Sequence, residues 1–345
     1  MNSSDQRPPY ICYVAGKSGG HIIPALTHAR FQKQANSALK VLFFSTNSPL
    51  DRSLLEHTTL IDTYKPLALG NIPRKNIFAW PRFCMQLMTV LWQSCNLLRT
   101  HRPTKVVSMG GYISVPVCFV ARLLRIPVEV YELNVVPGAA VKLLSRWADR
   151  VHLCFGATRI YLPIHAHCVQ GAYPLRYTES ERLERTDACQ TLGISPEKKI
   201  ILVAGGSQGS RFINEIMQKY VRTKERSDRC VIIHQTGAAD VHTVKQGYRE
   251  CGIDAIVFAY RDDIHLCYAA ADVVVARAGA GTLFELLFFK KSSLIIPLET
   301  ATTDHQKDNA LSMLQEHPQL FKVFLQAEVE KQPEEFFQQL SLFCQ

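Results

Sequence analysis

The 345-residue sequence predicts an α/β protein made of two Rossmann-like domains, each a parallel sheet wound with crossover helices. Three observations carry this. Apolar runs alternate with amphipathic stretches along the whole chain, which is the pattern of parallel strands joined by helices. The length suits about two domains. One pattern, V-A-G-x-S-x-G, occurs twice, at Val14–Gly20 and at Val203–Gly209, each time closing the first apolar run of its half.

The strands follow in order. "YICYVA", "KVLFFS", "KVVSMG", "PVEVYE" and "RVHLCF" belong to the first half, and "KIILVAG", "CVIIHQTG", "AIVFAY", "DVVVAR" and "SSLIIPL" to the second. They are continuous apolar runs, as strands buried on both faces require. The polar segment "QGAYPLRYTESERLERTD" joins the halves, so the expected domains are residues 8–172 and 173–345.

Composition narrows the function. Hydrophobic residues make up 47% of the chain and mean hydropathy is near zero, so disordered and fibrous classes are excluded. The polar start "MNSSDQRPPY" carries no signal peptide, and no run of about 18 uncharged apolar residues could span a bilayer. Eleven scattered cysteines, none in C-x-x-C spacing, read as reduced core residues of a cytosolic protein. The net charge of +9 suits an anionic membrane or a phosphorylated substrate. Nucleic acid is not expected, because no nucleic-acid-binding motif accompanies the charge.

The letters Gly16-Lys17-Ser18 resemble the end of a nucleotide-binding P-loop, but the first glycine of that motif is replaced by Ile11. The G-x-G-x-x-G dinucleotide fingerprint also fails, since position 18 is Ser, and this disfavours a nicotinamide-dependent oxidoreductase. A glycine turn opening a helix nonetheless offers free N–H groups and the positive end of the helix dipole to an anion. Two such turns facing across a cleft would hold a phosphorylated ligand and a second substrate, the arrangement of a GT-B glycosyltransferase.

The motifs "AGKSGGHIIPAL", "MGGYISVP", "ELNVVPGAAVKLLSRWADRV", "VAGGSQGSRFIN", "HQTG", "ADVVVARAGAGTLFEL" and "DHQKDNA" occur in an order that resembles the MurG family. The resemblance covers residues 10 to about 312. It implies an inverting, metal-independent transfer of N-acetylglucosamine from UDP-GlcNAc to lipid I, undecaprenyl-pyrophosphoryl-MurNAc-pentapeptide, forming lipid II for peptidoglycan synthesis. No cofactor is implied. The implied partners are UDP-GlcNAc, lipid I, an anionic inner-membrane surface met from the cytoplasmic side, and other cell-wall synthesis proteins. Two further readings stand beside it: a GT-B glycosyltransferase with another lipid or glycan acceptor, and a non-catalytic UDP-sugar-binding relative.

Site residues follow from the same motifs. In the second half, Ser207, Gln208 and Gly209 open a helix and meet the UDP phosphates, while Glu285 takes the ribose hydroxyls. Gln306 and Asn309 share a helix face that either bonds sugar hydroxyls or caps a buried helix. Arg277 and Arg176 match family arginines near the nucleotide, and Arg261 falls where the family's backbone meets uracil. In the first half, Ser18, Gly19 and Gly20 form the acceptor turn and Asn134 lies near the donor sugar. His21 and Glu132 are both candidates for the general base: a histidine near pKa 6.5 suits proton removal from a sugar hydroxyl, and Glu132 closes a strand where open α/β sheets bind ligands.

Departures from the family pattern qualify these expectations. Lys17 replaces a glycine, either to bind the acceptor pyrophosphate or to obstruct the turn. Tyr131 and Leu133 replace the histidine and glutamine of the family's HEQN, and Tyr173 opens the equivalent of its NPVR. The chain ends at Gln345, tens of residues before the family's usual end, so the helix that crosses back onto the first domain is not expected. The segment 71–103 mixes Arg74, Lys75, Arg82 and Arg99 with Ile77, Phe78, Trp80, Phe83, Leu87 and Trp92. It reads either as a membrane-interface stretch or as a core helix with a charged rim.

Overall fold

The computed structural model describes residues 8–16, 18–73, 76–206, 208–223, 230–299 and 305–344. The chain forms two compact units, residues 1–176 and 177–345. The division falls four residues beyond the expected boundary, and Arg30 of the first unit holds Tyr173–Arg176 to it by donating from Nη2 to the Arg176 carbonyl at 2.5 Å.

The first unit is a seven-stranded parallel sheet in the order β3-β2-β1-β4-β5-β6-β7. Its strands are β1 (Tyr10–Val14), β2 (Lys40–Thr46), β3 (Thr63–Leu67), β4 (Lys105–Ser108), β5 (Val128–Glu132), β6 (Arg150–Leu153) and β7 (Cys168–Gln170). Helices α1 (Gly19–Ala35), α2 (Pro49–Leu55), α3 (Trp80–His101), α4 (Ser114–Leu123) and α5 (Ala139–Leu144) connect them. One face of the sheet, with Val14, Phe44, Val106 and Val130, buries its side chains against Val90 and Leu98 of α3 and Val117 and Ala121 of α4. Each fully buried large side chain there contributes on the order of 1.5–3 kcal/mol.

The second unit repeats the device as a six-stranded parallel sheet ordered β10-β9-β8-β11-β12-β13. Its strands are β8 (Lys199–Ala204), β9 (Cys230–Gln235), β10 (Ala255–Phe258), β11 (Val273–Ala276), β12 (Ser292–Ile295) and β13 (Phe321–Val323). Its helices are α6 (Arg185–Leu192), α7 (Arg211–Tyr220), α8 (Val241–Glu250), α9 (Ile264–Ala270), α10 (Ala280–Phe288), α11 (His305–Glu316), α12 (Gln326–Lys331) and α13 (Glu334–Leu342). Helix α7 shows why amphipathic spacing docks a helix: Ile213, Ile216, Met217 and Tyr220 form one stripe and enter the core. The last two helices pack on this same core through Val329, Phe336, Phe337 and Leu340.

Both sheets reverse direction beside their first strand, between β1 and β4 and between β8 and β11. Open α/β sheets bind ligands outside the carboxyl ends of the strands at such points. Both copies of the glycine pattern lie there. Seven of the eleven cysteines are buried.

Candidate donor and acceptor sites

In the first unit, Ser18 precedes α1 and Gly19 and Gly20 are its first residues, so His21 stands in its first turn. The turn is shaped from below by Asp51, fully buried, whose Oδ2 accepts from Thr46 N at 3.0 Å and from Thr46 Oγ1 at 2.5 Å. A side chain on Gly16 would come within 2.7 Å of that carboxylate, so only glycine fits. Lys17 lies outside the described residues.

His21 is partly buried, and its Nδ1 lies 3.3 Å from the Gly16 carbonyl. A carbonyl oxygen only accepts, so Nδ1 carries the proton and Nε2 carries the lone pair. Nε2 faces the turn after β4, where a Cβ built on Gly110 would lie 3.6 Å from it. Burial lowers the His21 pKa from its ordinary value, against smaller opposing effects of the Gly16 carbonyl and the Asp51 charge. The neutral imidazole is therefore favoured.

Glu132 ends β5 with only 3% exposure. Its Oε1 accepts from Asn134 N at 2.9 Å and Asn134 Nδ2 at 3.4 Å, and its Oε2 accepts from Gly138 N at 3.1 Å. Both oxygens thus brace the loop that carries Asn134 into α5, and burial pushes the carboxyl up to about 7 despite those donors. The neighbouring departure, Tyr131, points to the other face: its hydroxyl lies 3.1 Å from His28 Nε2, and its ring stacks on His152 at 4.3 Å. Arg176, which the resemblance puts near the nucleotide, is partly buried as the last residue of the first unit, its carbonyl accepting from Arg30.

In the second unit, Ser207 lies outside the described residues. Gln208 is exposed in the turn, and the helix opens two residues beyond Gly209, at Arg211, with Ser210 as its N-cap. Ser210 Oγ accepts from Ile213 N at 3.4 Å and from Arg277 Nε at 2.9 Å. Arg277 also gives Nη1 to the carbonyls of Ile296 and Pro297, both at 3.1 Å. Burial lowers the pKa of this guanidinium to about 10, and it bridges the two sides of the topological switch.

The loop after β11 is clamped at one residue, Ala278. Gln306 Oε1 accepts from Ala278 N at 3.2 Å and Leu298 N at 3.0 Å, while Asn309 Nδ2 donates to the Ala278 carbonyl at 3.4 Å. Gln306 is partly exposed, but Asn309 is 1% exposed and turned inward, which matches the buried-helix alternative for that residue. Glu285 is buried on α10, which opens at this loop. Arg261 is engaged by Asp263, with Nε and Nη2 each 2.6 Å from a carboxylate oxygen, and sits in the loop after β10.

Comparison with known proteins fits this geometry. Residues 11–153 match the glycosyltransferase family 28 N-terminal domain and residues 200–341 the glycosyltransferase family 28 C-terminal domain. A protein of Protochlamydia amoebophila named UDP-N-acetylglucosamine–N-acetylmuramyl-(pentapeptide) pyrophosphoryl-undecaprenol N-acetylglucosamine transferase is 32% identical over 303 residues, covering 86% of this chain and 78% of its own. Its namesake from Geotalea uraniireducens is 33% identical over 302 residues, with coverages of 87% and 81%. The crystal structure of Acinetobacter baumannii MurG superposes with a TM-score of 0.75 at 25% identity, over 96% of this chain and 90% of that one. The chain belongs to the MurG family. Its two units are the paired Rossmann-like domains of a GT-B glycosyltransferase, and each switch point carries a MurG motif.

Sequence reasoning missed several supports of these MurG motifs. Asp51 gave no signal, because its contact with the first glycine turn spans 35 residues of chain. Ser210 and Asn214 lay inside a quoted motif without a role. The segment "HQTG" was recognised as a motif, but its chemistry became legible only through the contacts of β9 with the second glycine turn.

Proposed function

We propose that this chain transfers N-acetylglucosamine from UDP-GlcNAc to lipid I, with inversion at the anomeric carbon, giving lipid II and UDP. The observation that supports it most directly is the presence of two MurG glycine turns, each at the switch point of its own sheet, with His21 in the helical turn that follows the first. In this reading His21 Nε2 takes the proton of the attacking MurNAc hydroxyl as the new C1–O bond forms. The bond from C1 to the β-phosphate oxygen breaks, and UDP leaves with the electron pair. The turn at Gly206–Gly209 and the N-terminus of α7 stabilise the charge that develops there. Glu285 accepts from the ribose, Arg277 acts through Ser210, and Gln306 presents its amide to the sugar. Glu132 serves as the support of the Asn134 loop, since its oxygens are engaged by backbone donors.

The membrane reading rests on α3. No helix among the described residues is long and apolar enough to cross a bilayer. Yet Phe78, 88% exposed, and Ile77, more than half exposed, lie in the short 3-10 turn that leads into α3, and Met85, Met88 and Trp92 on α3 are each more than half exposed, with Arg82 and Arg99 on the same helix. A contiguous exposed apolar surface of this kind marks an interaction site, and the lipid-linked acceptor makes an anionic bilayer its natural partner. The protein then works at the cytoplasmic face of the membrane, peripherally.

The direct test incubates the purified protein with labelled UDP-GlcNAc, a lipid I analogue and detergent. Labelled disaccharide product supports the reading. Hydrolysis or transfer only to another acceptor replaces it with the different-acceptor reading, and UDP binding without turnover replaces it with the non-catalytic one.

A further inference from the structure

The segment His234–Gly237 runs off the end of β9, and its last three residues touch the second glycine turn. Its first residue is locked inside the fold. His234 is fully buried, its Nδ1 2.7 Å from Tyr248 Oη and its Nε2 3.0 Å from Asn214 Oδ1. Asn214 spends its amide hydrogens on the Thr236 carbonyl at 3.0 Å and Asp240 Oδ2 at 2.7 Å. Its oxygen therefore only accepts, so His234 carries its proton on Nε2 and receives the tyrosine hydroxyl on Nδ1. This fixed chain sets the position of the Thr236 carbonyl. Gly209 lies so close to that carbonyl that any Cβ there would overlap it, and Gly237 meets Gln208 in the same way.

Between these contacts stands Gln235. Its Nε2 donates to the Gly206 carbonyl at 2.8 Å, and that carbonyl also accepts Gly209 N at 3.0 Å, closing the turn. Gln235 is buried, and its Oε1 has no partner among the described residues. A buried acceptor left unpaired destabilises the fold. Methionine would fill the same space without that cost, so what distinguishes glutamine here is the bond to the turn.

We propose that Gln235 is a positioning residue for the donor's diphosphate: it bolts the Gly206 carbonyl to β9, so that Gly206 and Gly209 stand in place for the phosphates before UDP-GlcNAc arrives. The mechanism is preorganisation, since a turn held by one bond instead of two must be ordered at the expense of binding free energy. The proposal rests on the reading of this turn as the diphosphate site of the donor.

The test compares UDP with uridine, which lacks the diphosphate, by calorimetry on the full chain. Gln235→Met should weaken UDP binding about tenfold, the loss of roughly one hydrogen bond's worth of organisation, and leave uridine affinity and Tm unchanged. KM for UDP-GlcNAc should rise in parallel while KM for the acceptor stays. Equal loss of UDP and uridine affinity, or no loss of either, overturns the proposal. Should Gln235→Met not fold, Gln235→Leu provides the second variant, because it removes the donor to the Gly206 carbonyl without placing a charge or a new donor beside it. Wild-type protein that binds UDP no better than uridine sinks the diphosphate assignment itself, a result distinct from failure of the Gln235 role.

Discussion

At the scale of single residues, two groups that both looked like bases are separated by their hydrogen bonds. His21 has its Nδ1 turned to the Gly16 carbonyl and presents Nε2, whereas both oxygens of Glu132 are held by donors from the Asn134–Gly138 loop. His21→Ala should therefore lower turnover by about 10²–10⁴ with UDP affinity retained. Because burial lowers the His21 pKa, the acidic limb of the rate should lie below the ordinary histidine value of about 6.5. Initial rates across pH 5 to 8 check this, and a limb above that value removes His21 from the role. Glu132 makes a different prediction. Its carboxyl titrates near 7 in the fold, against an ordinary value of 4.5. Below 4.5 both folded and unfolded states are protonated, and as pH rises toward 7 only the unfolded state ionises, so stability falls over that window. Tm measured from pH 4.5 to 8 should decline more steeply for the wild type than for Glu132→Gln, and equal slopes would remove this linkage.

At the scale of elements, α3 and the turn before it divide their apolar residues between two environments. Phe83 and Leu87 pack on the first unit's core beside Val90 and Leu98, while Phe78, Trp80, Met88 and Trp92 face outward. A change at Phe83 therefore mixes lost packing with lost surface contact. The informative variant is Phe78→Ser with Trp80→Ser and Trp92→Ser. It should leave anionic liposomes in a flotation assay while keeping Tm within a few degrees and UDP affinity unchanged. Retained flotation would place membrane contact elsewhere. The short strands β3, β7 and β13 belong to the same scale. None announces itself as an apolar run: β3 carries Thr63, Lys65 and Pro66, and β7 and β13 have three residues each. All three lie in the outer part of their sheets, β3, β7 and β13 each with one neighbouring strand, so they need less apolar surface than the central strands.

At the scale of the whole molecule, the +9 charge and the apolar face of α3 would act on the proposed membrane by different physics. Charge attraction is screened within about 10 Å at 0.1 M salt, whereas apolar insertion is not weakened by salt. Sedimentation with vesicles should thus show a preference for anionic over neutral lipid that shrinks as salt rises from about 0.05 to 0.5 M, leaving a residual binding common to both. A preference insensitive to salt would mean that charge has no part in it. The division of labour between units gives this prediction its control, because the glycine turn of the second unit lies in a different fold from α3.

The sequence by itself determined the class of fold, the two-domain plan, the family and the location of both glycine turns. These are written in local pattern: apolar runs long enough to be strands buried on both faces, and glycines where a turn approaches other backbone. Only the tertiary structure decided which side chains are free to act. Tyr131 looked like a change in the site, and strand alternation sent it to His28 on the opposite face. Gln306 and Asn309 share a helix face, and the docking of α11 sets both against Ala278, Gln306 on its N–H and Asn309 on its carbonyl. Asp51 drew no notice and Gln235 stood in the motif "HQTG" without a role, yet they shape the two turns from strands and helices distant in sequence. The physical reason is common to all of them: a buried polar group must find its hydrogen bond, and which atoms stand within 3 Å of it is fixed by strand order and helix docking rather than by neighbours along the chain.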